Sequence, residues 1–144
     1  MHYFKNALPK FSKQILASVF FLFAFMQAYS QKKQKCFEDD GLKYKTVIHI
    51  NFLSTTQVSG NVTSEEYDSQ AKLKTDFTGI ISGRMLKIKF NGNRPVVGAA
   101  TQWLDKPWTI KKTKGKETLC IIFYSKNYNT QKWSNTTYEF IPCQ

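Results

Sequence analysis

The chain has 144 residues, 42% of them hydrophobic and 15% aromatic, with 21 Lys or Arg against 10 Asp or Glu and a formal charge of +11. That length is one domain's worth of chain, and that apolar content can fill a core. With 7 Gly and 4 Pro, a disordered, collagen-like or low-complexity chain is excluded.

Residues 1–30 hold Lys5, Lys10 and Lys13 and no acid, then the apolar run Ile15 to Met26, then Ala28-Tyr29-Ser30. A basic start, a short apolar stretch and small residues before Gln31 read as a cleaved secretory signal peptide. The apolar run is shorter than the roughly 18 to 20 residues a bilayer span needs, which argues against a retained anchor. Polar residues Gln31 to Lys35 do not suit a lipoprotein signal ahead of Cys36. The expected product is a secreted or periplasmic single β domain over 31–144, with 31–40 as a charged lead-in and no membrane span. Its net charge is about +8, carried almost wholly by lysine. Only Arg84 and Arg94 supply the planar fork that grips phosphate bidentately, so specific nucleic-acid recognition is disfavoured.

From Lys43 onward the pattern alternates. Tyr44, Thr46, Ile48, Ile50 and Phe52 share one face, and Val58, Gly60 and Val62 do the same after Ser54-Thr55-Thr56. Leu73, Thr75, Phe77, Gly79 and Ile81 form the next apolar face. The turn Ser82-Gly83-Arg84 leads into Leu86, Ile88 and Phe90. Residues Asn91 to Pro107 are too long for a hairpin turn, and Pro95 is placed to start a short helix covering one end of a barrel. A hairpin then joins Trp108–Lys112 to Glu117–Tyr124, and Asn135 to Phe140 forms a last strand. About seven short strands without a 3.6-residue period predict an all-β antiparallel meander, closed as a small barrel or folded as a sandwich.

Export permits a disulfide, and Cys36 with Cys143 is the favoured pair because the two flank the domain. Cys120 lies inside the apolar run Leu119 to Phe123 and is expected as a buried free thiol rather than a nucleophile. Once His2 leaves with the signal, only His49 remains, on the polar face of its strand. Multi-histidine metal sites and two-histidine acid–base schemes are thereby excluded, and neither a metal nor a cofactor is expected. No nucleophile elbow, Walker loop or dinucleotide fingerprint occurs. Glu66 and Asp68 share a face if Ser64 to Asp68 is extended, which leaves a glycan hydrolase with paired carboxylates as an alternative. The composition of Ser64 to Ser69 reads better as a solvated turn.

Aromatic residues offer the most suggestive chemistry. Trp103, Trp108 and Trp133 lie in the C-terminal third, and Asn127 to Trp133 surrounds Tyr128 with amides and hydroxyls. Trp103, Trp108, Tyr128 and Trp133 are therefore the candidate ligand-binding residues. Such rings either stack on sugars, anchor a protein partner, or plug the barrel as core. The lysines are spread over many strands, which reads as solubility and edge protection or as a surface for an acidic partner.

The segments Val58-Ser59-Gly60-Asn61-Val62, Phe77-Thr78-Gly79-Ile80-Ile81-Ser82-Gly83 and Leu86-Lys87-Ile88 resemble small exported bacterial β-barrel proteins of lipocalin-like type. That resemblance covers roughly residues 42 to 90 and implies a binding or inhibitory role rather than catalysis. The expectation is an exported monomeric binding protein, not an enzyme. It would take a small apolar ligand in the interior, or a glycan or acidic protein at the tryptophan-bearing loops. A purely structural envelope protein is the other alternative.

Overall fold

The computed structural model describes residues 33–144; the expected signal peptide lies outside the described residues. Nine strands follow in order: β1 (Lys33–Asp40), β2 (Tyr44–Phe52), β3 (Gln57–Glu66), β4 (Lys72–Ser82), β5 (Met85–Phe90), β6 (Thr101–Trp103), β7 (Trp108–Thr113), β8 (Lys116–Lys126) and β9 (Trp133–Pro142). The described residues form one compact unit.

Pairing runs β8-β7-β5-β4-β3-β2-β1-β9 and returns to β8, so eight antiparallel strands close a barrel. Strand β6 is the ninth and pairs with Phe123–Ser125 of β8, in line with β7. Closure decides the barrel over the sandwich. Its registers follow the alternation, because a one-residue slip would turn every apolar side chain outward. Ile48 and Ile50 of β2, Val58 and Val62 of β3, Phe77 of β4 and Leu86 of β5 are all buried.

Two expectations are corrected. The charged lead-in is strand β1, which pairs with β2 along its full length and buries Phe37 at 1% exposure. Its single large apolar residue sits among charges, so composition concealed the strand. No helix forms in 91–107. The segment does cover one barrel end, as an extended strap. Thr75 donates its hydroxyl to the Asn93 carbonyl at 2.7 Å, Ser64 donates to the Val96 carbonyl, and the Trp103 indole N–H donates to Pro95 O at 2.7 Å. Those side-chain donors satisfy strap carbonyls that a helix would have satisfied internally.

The wall is thin where β2 meets β3. A side chain on Gly60 would collide with the His49 backbone oxygen and the Phe77 ring, so the Phe77 ring lies directly beneath this backbone. Strands β7 and β8 join through Lys114 and Gly115, both at positive φ (50° and 82°), the conformation of a tight two-residue hairpin turn.

Two seams of the barrel are narrow. Strands β5 and β7 pair through only Met85–Thr109 and Leu86–Trp108, and β1 and β9 through only Phe37–Pro142 and Glu38–Ile141. The Cys36–Cys143 disulfide closes the second, with Cα atoms 5.4 Å apart and the Cys143 amide donating to Cys36 O.

Candidate functional site

Side chains fill the barrel interior. Phe77 packs edge-on to Trp108 at 5.3 Å, Trp103 to Phe123 at 4.7 Å and to Phe90 at 5.0 Å, and Phe123 to Tyr138 at 5.0 Å. The expectation of a small apolar ligand in the interior is therefore corrected, because the aromatic rings occupy that volume. Trp108 is 2% exposed and Trp103 is part of the same stack, with the two indoles 5.9 Å apart. Of the four candidate binding residues, these two serve as core. Trp108 begins β7, where its alternation with Ile110 marks the inward face, whereas Trp103 ends β6, whose three residues carry no period to read.

Tyr128 and Trp133 lie elsewhere, both on the β8–β9 hairpin. Trp133 begins β9 and pairs in register with Lys126 of β8, so its ring stands on the outer face beside Tyr124. Those rings stack at 5.3 Å and 23°. Tyr124, not among the four candidates, has the outward parity of a surface ring between Phe123 and Ser125. Tyr128 occupies the intervening turn and is 69% exposed. The turn is held by its own amides. Asn127 Oδ1 accepts from the Asn129 and Thr130 amides at 3.0 Å each, and the Gln131 side-chain amide donates to Tyr128 O at 2.6 Å.

Strand β9 adds a second feature. From Trp133 to Phe140 it pairs with β8 on one side and with no second strand among the described residues, since β1 reaches only Ile141 and Pro142. An eight-residue edge with unpaired backbone donors and acceptors therefore runs beside the exposed rings.

Open hollows mark the surface of the described residues. One of about 510 Å³ lies on the outer wall and is lined by Leu53, Thr78, Ile80, Lys87 and Lys89 among others. One of about 320 Å³ sits at the barrel end opposite the strap, with Phe52, Ile81 and Ile110 beneath Lys35, Arg84, Lys112 and Glu117. A third, of about 250 Å³, lies near the strap between Tyr44, Ser64, Glu66, Leu73 and Val96.

The paired-carboxylate expectation is corrected at that third hollow, because Asp68 is not among its lining residues and sits exposed in the β3–β4 turn. Glu66 is held as an anion. Ser69 donates to it at 2.7 Å, Lys43 reaches it at 3.1 Å and Tyr44 donates at 3.0 Å, which together keep its carboxyl below the usual glutamate range. A general acid needs the opposite shift. Glu117 is lowered likewise, chiefly by its 2.5 Å contact with Lys35.

A depressed folded pKa stabilises above the unfolded value and is lost as pH falls through the folded one. Stability is thus expected to hold above the ordinary glutamate pKa of 4.5 and to decline below it. In Glu117→Gln the acid limb of a melting-temperature profile should flatten; an unchanged limb would refute this linkage.

Cys120 is buried on the outer face of β8, with the Glu139 carboxylate 4.0 Å away rather than the cation that a nucleophilic thiolate requires. His49 Nε2 lies 4.0 Å from Cys36 Sγ, so the histidine packs beside the disulfide instead of standing free in solvent. Among the described residues, no cluster of three or more His, Cys, Asp or Glu is arranged to hold a metal ion. No protein-family model, curated protein or solved structure matches this chain.

Proposed function

We propose that this is an exported binding protein of lipocalin-like architecture, monomeric and without a cofactor or catalytic role. Its contact surface is the β8–β9 ribbon and its partner is a protein. The carrying observation is the juxtaposition of three exposed rings, Tyr124, Tyr128 and Trp133, with the unpaired edge of β9. Aromatic side chains supply large anchors at little entropic cost, and a free edge pairs with an extended segment through backbone hydrogen bonds. A glycan partner is less well supported, because two of the turn's side-chain amides already bond its own backbone.

Selection from a displayed peptide library against residues 31–144, run beside a glycan array, tests this reading. Extended peptides with alternating apolar residues should be enriched, and Trp133→Ala should weaken them by about 2 kcal/mol or more, the cost of losing an interface anchor. Peptides that bind the Trp133→Ala protein equally well, or hits confined to the glycan array, would overturn it.

A further inference from the structure

Folding segregates charge that looks dispersed along the chain. The barrel end away from the strap is built from five segments: 33–35, 52–57, 82–87, 111–117 and 141–144. Together they contain eight Lys or Arg and a single side-chain carboxylate, Glu117. The hairpins at the opposite end, 39–45, 64–74 and 126–133, contain six Lys against five Asp or Glu.

Two further observations single out this basic end. Its rim presents large apolar side chains to solvent, with Leu53 in the β2–β3 turn and Met85 at the start of β5 each 48% exposed. At its centre lies the 320 Å³ hollow with an apolar floor, where Lys35 is paired with Glu117 while Arg84 and Lys112 make no ion pair among the described residues.

We infer that the basic end of the barrel docks on an anionic phospholipid surface, with Leu53 and Met85 entering the headgroup region and Arg84 and Lys112 receiving a lipid phosphate. This goes beyond the protein-binding reading and uses the opposite end of the molecule from the β8–β9 turn. Cations gather at an anionic leaflet within a Debye length of it, and apolar tips add affinity only where hydrocarbon lies beneath the charge. A soluble polyanion would satisfy the lysines but leave Leu53 and Met85 without a counterpart.

The described residues close their own sheet around their own core, so residues 31–144 are a fit subject for vesicle cosedimentation. Binding is expected to phosphatidylcholine vesicles containing about one third phosphatidylglycerol, not to phosphatidylcholine alone, and to weaken steeply between low and physiological salt. The triple variant Arg84→Glu, Lys112→Glu, Lys114→Glu should lose about tenfold or more, while Lys72→Glu with Lys74→Glu at the other end should change binding less than about twofold. All five positions are solvent-exposed, and melting curves verify that each variant folds. Leu53→Ser with Met85→Ser should weaken vesicle binding and leave retention on dextran sulfate unchanged. Equal losses from both charge variants would reduce the effect to net charge and overturn the assignment. So would vesicle binding indifferent to Leu53 and Met85, which would point to a polyanion instead.

Discussion

Replacing Trp108 by alanine is expected to lower the unfolding free energy by about 3 to 5 kcal/mol, the range for emptying a large aromatic site in a packed core. Trp108 is 2% exposed and contacts Phe77, Phe90 and Trp103 at ring separations of 5.3, 6.1 and 5.9 Å. It also supplies one of the only two residue pairs that join β5 to β7. The cavity therefore opens where the wall is narrowest. In a domain of this size the melting temperature should fall by on the order of 15 °C. Trp133→Ala removes a ring that is 39% exposed and should cost less than about 1 kcal/mol. Urea unfolding of both variants separates the core tryptophan from the surface one, and a Trp108→Ala loss under about 1 kcal/mol would refute the core assignment.

Loss of the Cys36–Cys143 disulfide is expected to cost about 4 to 5 kcal/mol in the chain-entropy model, because the bridge spans 107 residues. Domains of this kind are stable by only about 5 to 15 kcal/mol in total, so the bridge accounts for about a third or more of that stability. The damage should begin locally. With only Phe37–Pro142 and Glu38–Ile141 pairing β1 to β9, hydrogen exchange in β1 and at the end of β9 should accelerate before that of β3 and β4. Cys36→Ser with Cys143→Ser supplies the measurement. Uniform acceleration across the barrel would show that the bridge acts only on the unfolded chain.

Much of the wall was legible along the chain. The alternation from Tyr44 to Phe52, from Val58 to Val62 and from Leu86 to Phe90 places on the inside the same residues that the barrel buries. Strand β1 was hidden because Phe37 is its single large apolar residue among mostly charged and polar ones. Strand β6 was hidden because three residues carry no period. The candidate site was legible only in part. Tyr128 and Trp133 stand out as loop-region aromatics, but Trp103 and Trp108 have the same composition and an opposite fate, set by which face of a strand each occupies.

By itself, the order of residues determined the all-β class and the alternation of wet and dry faces, because period and turn chemistry are local, and it favoured Cys36 with Cys143 only through their places at the two ends of the domain. Only the tertiary structure decided closure into a barrel, the filling of its interior by Trp103 and Trp108, the free edge of β9 and the gathering of cations at one end. Those features depend on which strand ends and turns meet in space. The physical reason is that burial and electric field are sums over neighbours distant in sequence, and a linear pattern records neither.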